Sequence, residues 1–172
     1  WSLVDGEIAE VEKNFSPDNE PNCFIEAYLR EMCRREAEGK ADGLMRRFHE
    51  AKLARAPEVV AWGTGSPLRE MVYCDDLADA CAYLLENYEA GGMINAGSSM
   101  EYSIRELAET VRDVVGYEGD LVWDSSKPDG TPRKIMDNSK LAATGWTART
   151  ELREGLTEMY RWFLGNVAAK AA

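Results

Sequence analysis

Long apolar runs are missing from this chain of 172 residues. No stretch approaches the roughly 18 consecutive apolar residues that a bilayer-spanning helix requires. The opening segment, WSLVDGEIAEVEKNF, is acidic and lacks the basic and apolar regions of a signal peptide. Cysteine is scarce: Cys23, Cys33, Cys74 and Cys81 form no CxxC pair, and a single histidine is present to assist them. That excludes the usual zinc patterns. Cys74 and Cys81 fall beside or within a helical apolar pattern and are expected as buried free thiols, with no need of an oxidising compartment. Positive charge is also the minority, 20 Lys and Arg against 31 Asp and Glu, a net charge of −11. Such a surface repels nucleic acid and anionic membranes, so a bound polyanion must be small and met by a local basic patch. These features predict a cytoplasmic protein, and Trp1 in place of Met leads us to expect further sequence upstream.

Self-sufficient catalytic motifs are absent as well. The one approximation to a Gly-x-Gly-x-x-Gly cofactor loop is Gly63-Thr-Gly65-Ser-Pro-Leu68. It lacks the third glycine, Pro67 removes a backbone N–H, and the residues that follow read as a strand instead of a helix. There is no P-loop, and none of the seven tyrosines is followed four residues later by lysine. A Ser–His–Asp arrangement would have to rest on His49, and no Gly-x-Ser-x-Gly elbow supports it. His49 follows Phe48 by one helical position and is expected at the edge of a packed face, in a structural role.

What is present is a hydrophobic content of 45%, enough to build a core. Residues 1–21 read as loop, with a short helix near 7–13, and residues 22–38 read as a helix of alternating charge and apolar side chains. A second helix, LMRRFHEAKLARA, would bury Met45, Phe48 and Leu53. VVAW (59–62) and REMVY (69–73) read as neighbouring strands joined by the Gly-Thr-Gly-Ser-Pro turn. Asp75 or Asp76 would then cap a helix through Tyr88, and MINAG (93–97) is a third strand candidate. Ser103-Ile-Arg-Glu106 is a capping box opening a helix that stops at Gly116. DLVWD (120–124), a Pro-Asp-Gly turn, KIMD (134–137) and a small helix to Gly145 follow. Thr150 would cap a last helix with Leu152, Leu156, Met159, Trp162 and Phe163 on one stripe, and Trp146 is expected in the core. Strands and helices alternate over 58–165, which predicts an α/β or α+β-like small mixed sheet with flanking helices.

In so acidic a chain, Arg46, Arg47, Arg69, Lys127, Arg133 and Lys134 stand out. Most Arg and Lys are ordinary solvated charges. Gathered around one turn, they would instead supply guanidinium forks and an ammonium for a diphosphate. Trp62, at a strand end beside the turn, is either a core residue or an aromatic face for a base. Asp129 is a turn former that can also accept hydrogen bonds from ribose or sugar hydroxyls.

The runs LMRRFHEAK, VVAWGTGSPLREMVYCDDLADACAYLLENY, INAG with YSIRELAETVRDVVGYEG, WDSSKPDGTPRKIMDNSKLAATGW and LREGLTEMYRWFLGN resemble the C-terminal half of the GDP-L-fucose synthases, in order and at family spacing. The resemblance covers residues 44–167 and implies the substrate-binding domain of an extended short-chain dehydrogenase, the dinucleotide-binding (Rossmann) half being absent from the chain. Family members epimerise C3 and C5 of GDP-4-keto-6-deoxymannose and reduce C4 with NADPH. The resemblance implies that Arg47 reaches the substrate diphosphate, that Trp62 lies beside the nucleotide, that Arg69 contacts it, and that Asp129 and Lys134 touch the substrate. It assigns no catalytic or cofactor-binding residue to this chain, and NADP would be held by the other half. The family's epimerisation acid is a histidine in a Ser-His-Val-Ile-Pro-like segment; here EPNCFIEAYLREMCRREAEGKADG has no histidine and reads as an inserted helix. The implied division is 1–43 as loop and inserted helix, 44–168 as sugar-nucleotide-binding domain, and 169–172 as a frayed tail. The expected partners are a GDP-sugar and either a second copy, as in the homodimers of the family, or a Rossmann domain. A non-enzymatic interaction module docking through helix 22–38 is the competing reading. Another nucleotide-sugar epimerase is a third, and the PDGTPRK block argues against it.

Overall fold

The structure, a computed structural model, describes residues 43–168. The expected elements within 1–42, with Cys23 and Cys33, and the tail 169–172 lie outside the described residues.

Helix α1 spans Leu44–Ala54 and stops at Arg55, whose φ of 49° is left-handed. Met45 and Phe48 are buried, but Leu53 is 72% exposed, which corrects the predicted apolar face. Five residues beyond Phe48 at about 100° per residue place Leu53 about 140° around the helix, facing solvent.

Strand β1 (Glu58–Trp62) alternates exposed and buried residues and pairs in parallel with β4 (Asp120–Asp124), Val60 opposite Val122. Strand β2 (Leu68–Glu70) lies in a different sheet, between β3 (Glu101–Ser103), antiparallel, and β5 (Arg133–Lys134), parallel. The sequence reading of β1 and β2 as paired neighbours is therefore wrong. Gly63 and Gly65 take φ of 81° and 77°, and the linker spends its main-chain groups on three other segments. Gly63 N–H donates to Asp124 O, Arg105 N–H to Gly65 O, and Leu68 N–H to Pro132 O. The turn carries the chain from one sheet to the other instead of folding it back.

Residues 93–97 are not a strand, and 71–73 and 135–137 do not extend β2 and β5. The 95–99 stretch is held by its own side chains instead, which bond main-chain carbonyls elsewhere: Asn95 Nδ2 donates to Asp137 O at 2.9 Å, and Ser98 Oγ donates to Met71 O. The strand on this part of the chain is β3, which sequence reading missed.

Helix α2 (Cys74–Asn87) has no side-chain cap; Asp75 and Asp76 sit inside its first turn, where their charge suits the helix dipole. Asp76 reaches across to accept from the N–H groups of Arg149 (3.1 Å) and Thr150 (2.8 Å) and from Thr150 Oγ1 (3.1 Å). Thr150 is thus committed to Asp76 and does not cap α5 (Leu152–Phe163), whose N-cap is Glu151. Cys74 and Cys81 are both exposed, contrary to expectation, because Ala80 is the one buried residue of α2.

Helix α3 (Ile104–Val115) carries the predicted capping box between Ser103 and Glu106 and ends at Gly116, φ 68°. Its Val111 and Val115 join Met45, Phe48, Val59, Tyr117 and Leu156 in the main core. A short helix, α4 (Ser139–Ala143), brings Leu141 to Ala80 and Trp146 in a second cluster, where the indole N–H of Trp146 donates to Asp79 at 2.7 Å. Along α5, Leu156 is buried and Leu152 and Phe163 are partly so, while Met159 is 44% exposed and leaves the predicted stripe. His49 packs edge-on against Tyr160 and Phe163, its Nδ1 lying 3.0 Å from the Tyr160 hydroxyl.

Candidate functional site

The turn between β1 and β2 is held from three sides. Thr64 N–H and Thr64 Oγ1 donate to the two carboxylate oxygens of Asp129 at 2.8 and 2.7 Å. Arg105, from the first turn of α3, donates to Thr64 O at 2.6 Å and stacks its guanidinium 4.7 Å from the Trp123 ring centre. Gly65 lies so close to that indole that a Cβ there would meet it at 2.7 Å, and a Cβ on Gly63 would meet Asp129 Oδ1 at 2.2 Å. The two glycines therefore make room for protein side chains. No phosphate cradle for a dinucleotide is left at this turn, and no hydride step is assigned to it.

The clamped turn presents Trp62, 72% exposed, with the Lys127 ammonium 5.9 Å from its ring centre. Asp129 faces the same turn from the Pro-Asp-Gly loop. Arg69 is half-buried; its Nη1 donates to Leu68 O (2.7 Å) and Thr131 O (2.8 Å), and a Cβ on Gly130 would lie 3.2 Å from its Nη2. Lys134 is the register partner of Arg69 across the β2–β5 ladder. Four of the five residues singled out in the sequence, Trp62, Arg69, Asp129 and Lys134, thus follow one another along the 62–70 turn and the 127–134 loop that embraces it. Arg47 stands apart: it donates to Val60 O and lines a shallow depression of about 390 Å³ with Glu50, Ala51 and Glu58, where none of the other four is found.

Two more of the basic residues are already engaged. Arg133 makes a two-pronged pair with Glu101 at 2.7 and 3.0 Å, and Arg46 reaches Glu50 at 4.0 Å and lies over the Phe163 ring. The guanidinium of Arg133 holds the Glu101 carboxyl below its ordinary range. Sequence reading missed Thr64, Arg105 and Glu70, whose side-chain hydrogen bonds hold the backbone of the turn and of the strands beside it. A threonine between two glycines was the available signal for Thr64; for the others the partners lie too far along the chain to be seen locally.

The Thr64 hydrogen bonds, side chain first, depress the pKa of Asp129. A depressed folded value means that the stabilisation by Asp129 is fully present above the ordinary carboxylate range and is lost as pH falls through the folded value. The difference in thermal midpoint between the wild type and Asp129→Asn is accordingly expected at neutral pH and should vanish in strong acid. A difference that persists unchanged across an acid titration would disprove the clamp.

The fold is that of the extended short-chain dehydrogenases: a GDP-L-fucose synthetase structure from Naegleria fowleri bound to NADP superposes with a TM-score of 0.68 at 31% identity, over 73% of this chain and 40% of that one. The NAD dependent epimerase/dehydratase family model matches residues 28–97. Within that class, the C-terminal portion of the chain is homologous to the GDP-L-fucose synthases. GDP-L-fucose synthase 1 of Arabidopsis thaliana is 62% identical over 124 residues, 72% of this chain and 38% of that protein. The GDP-L-fucose synthase of Escherichia coli (strain K12) is 45% identical over 132 residues, 72% of this chain and 41% of that protein. The chain spans about two fifths of the length of these relatives. Among the described residues no helix is long and apolar enough to cross a membrane.

Proposed function

We propose that residues 44–168 form the sugar-nucleotide-binding domain of a GDP-L-fucose synthase and hold GDP-4-keto-6-deoxymannose. The observation that carries this reading is the clamped turn, which sets an exposed indole beside Lys127 and within the same loop pair as Arg69 and Lys134. The indole offers a face on which a guanine can stack, and the cations lie where a diphosphate would extend from it. Asp129, already the acceptor for Thr64, keeps the turn in place; a sugar hydroxyl would share its remaining lone pairs.

The domain's contribution to the reaction is position. It fixes the nucleotide so that the 4-keto sugar is presented in one orientation, converting an encounter into a held geometry. Epimerisation at C3 and C5, and reduction at C4 with NADPH, are activities of the whole enzyme and need acid, base and cofactor groups from a dinucleotide-binding half, joined in a longer chain or brought by a partner. His49, engaged with Tyr160, is not offered as the acid. A homodimer and a cytoplasmic location accompany this reading.

Calorimetric titration of the chain with GDP and with UDP tests it. GDP is expected to bind more tightly, and Trp62→Ala to weaken GDP binding by about 1–3 kcal/mol, the usual worth of one base stacked on an aromatic face. Equal weak binding of the two nucleotides, or no loss on removing Trp62, would overturn it.

A further inference from the structure

β5 is a strand of two residues, Arg133 and Lys134, and a parallel ladder that short is weak. It also places Lys134 opposite Arg69, and like charges directly opposed on neighbouring strands repel. Something must hold β5 against β2. At its leading end Leu68 N–H donates to Pro132 O at 2.8 Å. At its trailing end the main-chain pairing has stopped, and Glu70 takes over. Side chains alternate along a strand, so Glu70 projects from the opposite face of the sheet to Arg69. There its Oε2 accepts from Met136 N–H at 3.0 Å, while Oε1 accepts from Ser99 N–H at 2.7 Å and from the Asn138 side-chain amide.

The surroundings are built for this carboxylate. Gly97 is buried against it, and a Cβ there would lie 2.4 Å from Oε1. Ser99 takes a left-handed φ of 61°, which turns its N–H toward Glu70. Asn138 is 6% exposed and is the one buried polar residue among the described ones. The neighbouring charges on that face are spent on each other, Arg133 on Glu101.

We propose that Glu70 is a positioning residue for the diphosphate: from the back of the three-stranded sheet it holds β5 so that Lys134 stays in register with Arg69 on the front. The identity of the anion rests on the function proposed above. The clamp itself does not.

Glu70→Gln in the full chain is the decisive variant. It keeps one oxygen for Ser99 and Asn138 and sets an amide nitrogen against the Met136 N–H. The amide resonances of Met136 and Lys134 are expected to move in the unliganded protein. GDP affinity is expected to fall roughly tenfold, the usual effect of losing a hydrogen bond to a charged group. Because Glu70 acts through Lys134, the pair Glu70→Gln/Lys134→Ala should bind GDP no more weakly than Lys134→Ala alone. Glu101→Gln, which breaks the Arg133 ion pair on the same face, should leave GDP affinity within about twofold of the wild type, as exposed pairs contribute little. Asn138→Ala removes one of the three donors, should shift the Met136 resonance less and in the same direction, and serves if Glu70→Gln does not fold. Unmoved Met136 and Lys134 resonances, or losses from Glu70→Gln and Lys134→Ala that multiply, would overturn the proposal. Failure of the wild type to bind GDP would remove the proposed function, while the resonance shifts would still decide the clamp.

Discussion

Phe48→Ala is expected to lower the stability of the described domain by about 4 kcal/mol, the middle of the range for emptying a buried aromatic site. Phe48 is fully buried on α1 and stacks at a tilt on Tyr117, with ring centres 5.6 Å apart. Met45, Val59, Val111, Val115 and Leu156 complete the cluster around it, drawn from α1, β1, α3 and α5. Those elements cannot collapse into the hole together, because the Tyr117 hydroxyl is tied to Ala56 O at 2.8 Å and the Lys52 ammonium to Val115 O at 2.7 Å. Since a domain's whole stability is roughly 5–15 kcal/mol, the loss is a large fraction of it. Urea unfolding followed by far-ultraviolet circular dichroism measures the change. A loss smaller than that of a surface substitution would show that the core does not centre on Phe48.

Gly65→Ala is expected to cost about 3 kcal/mol, from about 1–2 for a left-handed alanine and about 1–3 for forcing a methyl into a filled space. The φ of 77° supplies the first part, and the Trp123 ring, 2.7–2.9 Å from the new Cβ, supplies the second. Gly92 is the control. Its φ is 100° with nothing within 4 Å of a Cβ, so Gly92→Ala bears only the backbone strain of about 1–2 kcal/mol. The two variants compared by thermal unfolding separate strain from collision. Equal losses would mean that Trp123 can step aside, and that the turn is not held from beneath. If it is held, pushing the Trp123 indole also disturbs Arg105 and Thr64, so the variant should lose nucleotide affinity along with stability.

How much of this was readable from residue order follows the range of the interactions. The Ser103–Glu106 box and the stop at Gly116 are local; every partner lies within one turn of the chain, and both are present as expected. The strands β1 and β4 were found as segments, but their pairing was not, because Val60 and Val122 are brought together only by the intervening helices. Asp76 misled for the same reason. An aspartate at a helix start usually caps its own helix, and nothing nearby in the sequence reveals that Thr150 and Arg149 will claim it. MINAG has the composition of a strand, yet among the described residues no strand pairs with it, and the Asn95 side chain bonds the Asp137 carbonyl instead. At the candidate site, Trp62, Arg69, Asp129 and Lys134 could be picked out as candidates by residue type in an acidic background. The devices that aim them, Thr64, Arg105 and Glu70, were not, since a hydrogen bond from Met136 to Glu70 spans 66 positions.

The contact between Arg47 and the Val60 carbonyl has a consequence for how copies of the chain meet. Among the described residues β1 pairs with β4 alone, and a strand flank left open invites another strand to add to it and to start fibrils. A guanidinium seated on that flank occupies an acceptor and places a positive charge in the path of an approaching backbone. An Arg47→Ala chain would leave the Val60 carbonyl open to an incoming strand and remove the charge that repels it.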